Sequence, residues 1–148
     1  MTTITVYHPN NQPDDSSKQA ILEFLFQHLE NYGDPIEDIA KAVDYALGKN
    51  NAPGGLLLTS KNEAGEIAGA AVINKTGMKG YIPENICVYI ATHAQFRGKG
   101  IGKSLMKEAI KHSDGDMALH VEPENPAKHL YESLGFTNKY LEMRLKKA

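Results

Sequence analysis

Residues 97–104 of the chain read RGKGIGKS, between an apolar run at 86–91 and a segment in which apolar residues recur at helical spacing. The run is typical of a strand buried on both faces, and Ile101, Leu105 and Ala109 predict a helix that begins at the glycines. Because the first amides of a helix have no acceptor within it, this junction leaves backbone donors open. The segment therefore predicts a strand, a glycine turn and a helix N-terminus that can face a ligand.

The glycine turn is suited to an anion. Its alternating glycines leave the backbone accessible, and the helix N-terminus adds about half a positive charge. A turn selected only for tight packing of strand against helix is the alternative. Basic side chains around the turn favour a phosphate, and pyrophosphate in particular. These side chains belong to Arg97, Lys99 and Lys103.

Two nucleotide-binding motifs fit the same segment less well. A P-loop requires one more residue than separates Gly98 from Gly102, and Arg97 stands where its first glycine is required. The dinucleotide fingerprint would need a glycine in place of Lys103. A P-loop-like nucleotide-binding protein is therefore the weaker alternative.

Length and composition are those of an ordinary globular chain. It has 148 residues, 41% hydrophobic and 23% charged, so we expect one domain over residues 1–148. Cys87 is the only cysteine and no Cys/His spacing matches a zinc site, so neither an internal disulfide nor a metal is expected. With no targeting segment and no apolar run of about 18 residues, we expect a cytoplasmic chain without a membrane partner. The net charge of -2 lacks the basic footprint of a nucleic-acid binder.

Apolar periodicity and turn residues predict the order strand, helix pair, hairpin, strand, helix, strand, helix, strand. This alternation indicates an α/β class. The last strand is predicted from three alternating apolar residues, Leu141, Met143 and Leu145.

Residues 97–102 resemble the Arg/Gln-x-x-Gly-x-Gly/Ala signature of the GNAT (GCN5-related N-acetyltransferase) superfamily, whose loop binds the pyrophosphate of acetyl-coenzyme A (acetyl-CoA). A second block, residues 119–126 followed by 130–136, is similar to that family's fifth strand and following helix. The resemblance implies a mixed, mostly antiparallel sheet of about six strands with helices on both faces. It also implies a splay between the fourth and fifth strands that admits pantetheine.

The resemblance further implies which residues act. The glycine-turn amides would hold pyrophosphate, and the end of the fourth strand would contact pantetheine through its backbone. Tyr131 falls where the family often places the acid that protonates the departing thiolate, a role that suits a phenol of pKa about 10. A packing aromatic is the alternative for Tyr131. The expected cofactor-binding residues are Ile90, Ala91, Thr92, Arg97, Gly98, Lys99, Gly100, Ile101, Gly102, Lys103 and Asn125.

An amine acceptor requires a base, because an alkylammonium with a pKa of about 10.4 is almost fully protonated at pH 7. The glutamate that some family members use falls near Ile86, which cannot accept a proton. The two candidate bases are Glu84, which lies two residues earlier and on the same side if the strand extends that far, and His120 on the fifth strand. Their alternatives are a solvated loop charge for Glu84 and a structural histidine for His120.

We therefore expect an N-acetyltransferase that moves acetyl from acetyl-CoA to a primary amine by direct attack in a ternary complex. The rival is a non-catalytic protein that binds or senses coenzyme A. The amine partner, a small molecule or a protein, would be cationic, since acidic residues cluster between the two first helices; a solvated helix face is the alternative for this cluster. Small family members often form homodimers. The acidic residues are Glu30, Asp34, Glu37 and Asp38.

Overall fold

The computed structural model describes residues 2–147. Within them, five strands form one sheet in chain order, and neighbours are antiparallel except for the parallel pair of the fourth and fifth. The prediction of a mixed, mostly antiparallel sheet is thus confirmed. The strands are β1 (Thr3–Tyr7), β2 (Gly55–Lys61), β3 (Ile67–Lys75), β4 (Asn85–Thr92) and β5 (Met117–Leu119).

Helices cover both faces of the sheet, as expected. Apolar residues of α1 and α2 pack on one face against Leu57, Val72 and Tyr89, whereas α3 and α4 pack on the other against Leu58 and Cys87. None of the helices within residues 2–147 has the length and apolar character that crossing a membrane requires. The four α-helices of this part of the chain are α1 (Asp15–His28), α2 (Ile36–Ala46), α3 (Ile101–His112) and α4 (Ala127–Ser133).

A glycine in β3 fixes the position of α3. A Cβ atom at Gly69 would lie 2.7 Å from Leu105 Cδ1 and 2.8 Å from Ile101 Cγ2. Since this separation is far below a normal contact, only glycine lets the helix approach the sheet so closely. The approach places the N-terminus of α3, and the glycine turn before it, beside the carboxyl end of β4.

The fourth and fifth strands separate after a short ladder, as the resemblance implied. They pair only from Asn85 with Met117 to Cys87 with Leu119. On the other side of β4, Tyr89 and Cys87 pair with neighbouring residues of β3. Val88, which lies between them, has no partner there, so β4 has a β-bulge at Val88. The strand therefore bends just where β5 leaves it, and a slot opens between the two.

The sequence prediction of a last strand is wrong for this structure. Residues 137–147 form no strand, and Leu141, Met143 and Leu145 are 84%, 90% and 85% exposed. Alternation marks a segment that can form a strand, but a strand also needs a neighbouring edge with which to pair. Within the described residues the sheet therefore has five strands rather than about six.

Candidate active site

The glycine turn presents unpaired amides on an open surface. Gly98 and Gly100 adopt positive φ angles of 82° and 78°, and a Cβ atom added at either would meet nothing within 4 Å. The first backbone bond of α3 runs from the amide of Ser104 to the carbonyl of Gly100, at 3.0 Å. The amides of Ile101 and Gly102, like that of Lys103, come before this bond and have no acceptor within the helix.

Arg97, one of the three basic side chains near the turn, is bonded to residues at the end of α1. Its Nη2 donates to Glu30 Oε1 at 2.8 Å and to the carbonyl of His28 at 3.2 Å. Arg97 therefore ties the β4–α3 connection to the end of α1, and its guanidinium is not brought to the glycine amides. Lys99, by contrast, lies over the ring of Phe96, with Nζ 5.5 Å from the ring centroid.

The carboxyl half of β4 forms one wall of the slot. Ile90, Ala91 and Thr92 pair with β3 on one side, and no strand pairs with them on the other side within residues 2–147. A Cβ at Gly102 would lie 3.4 Å from Thr92 Oγ1, so the end of β4 adjoins the glycine turn. The structure thus brings together the residues expected to hold pantetheine and pyrophosphate.

Tyr131 on α4 belongs to the buried cluster that also contains Cys87. Burial, and secondarily the neighbouring Cys87, raises the pKa of the Tyr131 phenol above its usual range. No described side chain forms a hydrogen bond with its hydroxyl. Burial also raises the pKa of the Cys87 thiol to about 12, so this thiol stays protonated and is a poor nucleophile.

The structure separates the two candidate bases. Glu84 immediately precedes β4, at the end opposite Thr92, where its carboxylate accepts from the amides of Asp116 at 2.8 Å and Gly80 at 3.3 Å. These hydrogen bonds, the one from Asp116 first, lower the pKa of Glu84. His120 is exposed and lies just after the last paired residue of β5, not on the strand as expected.

Asn125 lies two residues before α4 and accepts a hydrogen bond from the first residue of that helix. Its Oδ1 accepts from the amide of Ala127 at 2.9 Å. The carbonyl oxygen of the side chain is therefore used within the chain, and the side-chain amino group is what Asn125 can offer to a ligand.

The sequence did not predict a hydrogen bond between β4 and the connection of α1 to α2. The hydroxyl of Tyr89, a buried residue beside the bulge, donates to Asp34 Oδ2 in the connection between α1 and α2. Burial, and then this carboxylate, raises the pKa of Tyr89. Asp34 was marked by its acidic neighbours, but nothing in the sequence connected it to a tyrosine in a distant apolar strand.

Two histidines, one at the end of α1 and one just after β4, have their rings in contact at an interplanar angle of 34°. The ring centroids of His28 and His93 are 4.3 Å apart, and the amide of Ala94 donates to His28 Nδ1 at 3.2 Å. Burial lowers the pKa of His28, and the nearby His93 and Arg97 lower it further. Neutral His28 therefore carries its proton on Nε2, which makes it a hydrogen-bond donor rather than a base.

Comparison with known proteins agrees with this geometry. The family model described as "Acetyltransferase (GNAT) domain" matches residues 54–138, more than half of the chain. The chain belongs to the GNAT acetyltransferase family. It is accordingly an acyltransferase that uses acetyl-CoA. A search of curated proteins finds no match.

Solved structures show the same fold at low identity. An aminoglycoside N-acetyltransferase in complex with CoA is 15% identical with a TM-score of 0.70, covering 99% of this chain and 96% of that one. A transcriptional regulator from Bacillus halodurans is 19% identical with a TM-score of 0.69, covering 99% and 100%. A histone acetyltransferase and related acetyltransferase from Corynebacterium glutamicum is 21% identical with a TM-score of 0.64, covering 96% and 90%.

The residues present fit coenzyme A. The space beside Gly98 and Gly100 is open, so a diphosphate can reach the unpaired amides. The free edge of β4 offers backbone groups to the amides of pantetheine, as an added strand would. When bound, acetyl-CoA supplies the thioester carbonyl that an acceptor attacks.

Proposed function

We propose that this GNAT protein acetylates a primary amine by direct attack in a ternary complex. The supporting observation is that β4 adjoins both the glycine turn, where the cofactor would bind, and Asp34, where the amine would bind. Its free edge after Val88 adjoins the glycine turn, whereas Tyr89, the next residue, faces Asp34 on the side of α1 and α2. Donor and acceptor can therefore meet at the bulge from two sides of one strand.

The cofactor residues have separate tasks in this proposal. The amides of the glycine turn hold the pyrophosphate, Lys99 and Lys103 add positive charge, and the backbone of residues 90–92 aligns the pantetheine arm. The proposed pyrophosphate amides are those of Gly98, Gly100, Ile101, Gly102 and Lys103.

Tyr131 is the proposed acid. Its raised pKa keeps the phenol protonated at neutral pH, so the proton is always available. A phenol is a weaker acid than a thiol, whose usual pKa is about 8.5, so in water this transfer to a thiolate would be uphill. Burial disfavours a thiolate as well as a phenolate, so a thiolate that leaves in a buried site is a stronger base than one in water and accepts the proton more readily.

Asp34 is the proposed site for the amine. Glu30 and Asp38 form ion pairs with Arg97 and Lys41, at 2.8 Å and 3.5 Å, whereas Asp34 is exposed and held by the hydroxyl of Tyr89. Its carboxylate favours a cationic acceptor over a neutral one. His120, exposed just after β5, is the proposed base, since Glu84 is engaged at the far end of β4.

Release of free thiol from acetyl-CoA, measured with a panel of amines, tests the proposal. The panel contains a polyamine, an aminoglycoside, a peptide with one lysine and a peptide with a free N-terminus. We expect at least one acetylated product, identified by its mass, and a higher KM for that amine in Asp34→Asn. Asp15→Asn, an exposed aspartate at the start of α1, is the control and should keep the wild-type KM.

Melting temperature separates the alternatives. We expect CoA to raise the melting temperature and ATP with magnesium to leave it unchanged. A rise with CoA but no product from any amine would favour a non-catalytic CoA-binding protein. A rise with ATP alone would contradict the proposed cofactor.

A further inference from the structure

The end of α1 is hydrogen-bonded to the connection that carries the glycine turn. Residues 93–97 lead from β4 to that turn, and the amide of Ala94 donates to His28 Nδ1 at 3.2 Å. Arg97 Nη2 donates to the carbonyl of His28 at 3.2 Å and to Glu30 Oε1 at 2.8 Å. The last residue of α1 and the turn after it are therefore bonded to the segment that directly precedes the proposed pyrophosphate amides.

Glu30 has a backbone conformation that its surroundings must hold. Within residues 2–147, the non-glycine residues with positive φ angles are Glu30, at 54°, and two asparagines, Asn50 and Asn51. Asparagine adopts this conformation readily, whereas glutamate rarely does. A strained backbone persists only where other contacts maintain it. In the described part of the chain, the side-chain hydrogen bond of Glu30 is the one from Arg97, so Arg97 is the contact that maintains this conformation.

The strained residue begins the turn that leads to Asp34. Residues 30–32 form a short 3-10 turn, which Gly33 follows. A Cβ atom at Gly33 would lie 2.8 Å from the Cβ of Leu29, so the chain folds back closely onto the end of α1. Because this turn is tight and Asp34 comes directly after it, a change in the φ angle of Glu30 would displace the Asp34 carboxylate.

The charge of Arg97 is already matched by Glu30. Their side chains form an ion pair at 2.8 Å, and each is 50% exposed. Lys99 and Lys103, by contrast, form no ion pair within residues 2–147. The two lysines are therefore the cations left to attract a diphosphate, and Arg97 is engaged on the side of α1.

We propose that Arg97 is a positioning residue for the amine rather than a ligand of the cofactor diphosphate. Through Glu30 it holds the turn after α1, so that the carboxylate of Asp34 stays beside the hydroxyl of Tyr89 and meets the acceptor there. This inference rests on the proposed function, because it takes Asp34 as the amine site. It adds a residue of the cofactor signature that acts on the other substrate.

Separate KM values for the two substrates test the role of Arg97. Arg97→Met keeps an unbranched side chain but removes both hydrogen bonds, so we expect the KM for the amine to rise about tenfold. The KM for acetyl-CoA should stay within about twofold of the wild type. Lys18→Gln is the matched control, since it breaks an ion pair with Asp44 that joins α1 to α2, and it should change neither KM. A higher KM for acetyl-CoA with an unchanged KM for the amine overturns the proposal, because Arg97 would then bind the cofactor.

A double-mutant cycle shows whether Arg97 acts through Glu30. We expect Glu30→Gln alone to raise the KM for the amine about threefold, the effect of losing a half-exposed ion pair. In the Arg97→Met background, Glu30→Gln should add nothing, because the two substitutions break the same contact. Effects that multiply in the double variant would show that the two residues act independently, which also overturns the proposal.

Hydrogen exchange and calorimetry need no acceptor. The amide of Tyr32 donates to the carbonyl of Leu29 at 3.0 Å within the turn, and we expect it to exchange about tenfold faster in Arg97→Met, with an unchanged Kd for CoA. Equal exchange rates in the variant and the wild type would overturn the proposal. Faster exchange in the variant without an acetylated product from any amine would contradict the proposed function but support the role of Arg97 in holding the turn.

Discussion

Single side chains in this site owe their properties to contacts that are distant in sequence. Tyr89 and Asp34 meet across the sheet, and Arg97 reaches Glu30 at the end of α1. Spacing rules work only within one element, so neither contact could be predicted from the sequence. Tyr131, by contrast, was identified as a candidate because residues 130–136 resemble a block of the family in which a tyrosine often stands at this position.

Substitution of Tyr131 tests the acid. Tyr131→Phe keeps the ring in its cluster but removes the proton donor, so we expect kcat to fall by about 100-fold or more, with an unchanged melting temperature. Steady-state kinetics by thiol release measure the effect. Tyr81→Phe, at a position 80% exposed, is the matched control. Equal kcat values for the two variants would refute the assignment of Tyr131.

At the level of elements, helices were easier to predict than strands. A helix satisfies its backbone internally, so Pro126 and Gly135 marked the limits of α4 correctly within a residue or so. A strand requires a partner from elsewhere in the chain or from another chain. The alternation of Leu141, Met143 and Leu145 predicted strand-forming character without indicating the edge that it would use.

The glycine turn can be tested against another glycine with a similar φ angle. Gly100 and Gly65 both have positive φ angles, of 78° and 83°, and open space where a Cβ would lie. Alanine at either position costs about 1–2 kcal/mol of backbone strain. Only Gly100→Ala should also disturb the pyrophosphate amides, and loss of one charge-assisted hydrogen bond should raise KM for acetyl-CoA about tenfold. Similar KM values in both variants would show that the turn does not bind the cofactor.

At the scale of the whole molecule, Glu84 joins two parts of the chain. Its carboxylate links the 77–83 connection to the start of β5, and a Cβ at Gly115 would lie 2.5 Å from its Cδ. This contact lies at the end of the β4–β5 pair where the two strands are hydrogen-bonded, next to Asn85 and Met117. The opposite end is then free to splay without loosening the sheet.

The pH dependence of stability follows from the lowered pKa of Glu84. The unfolded chain binds the proton at about pH 4.3 and the folded chain only at lower pH. The stabilisation is therefore present above about pH 4.3 and is lost as the pH falls through the folded pKa. In urea titrations, the free energy of unfolding of the wild type should fall more steeply with acid than that of Glu84→Gln. We expect kcat at pH 7 to be unaffected; a large loss of kcat would instead indicate that Glu84 is the base.

The burial of Cys87 also has a practical side. The chain contains no other cysteine, and this one lies inside the cluster beneath α3 and α4 with its pKa raised to about 12. Aromatic disulfide reagents, which react with thiolates, therefore meet no accessible thiol on the folded enzyme. The colour that develops during turnover therefore measures only the coenzyme A released. A slow reaction of the reagent with the enzyme alone would measure how often Cys87 becomes exposed by opening of the core.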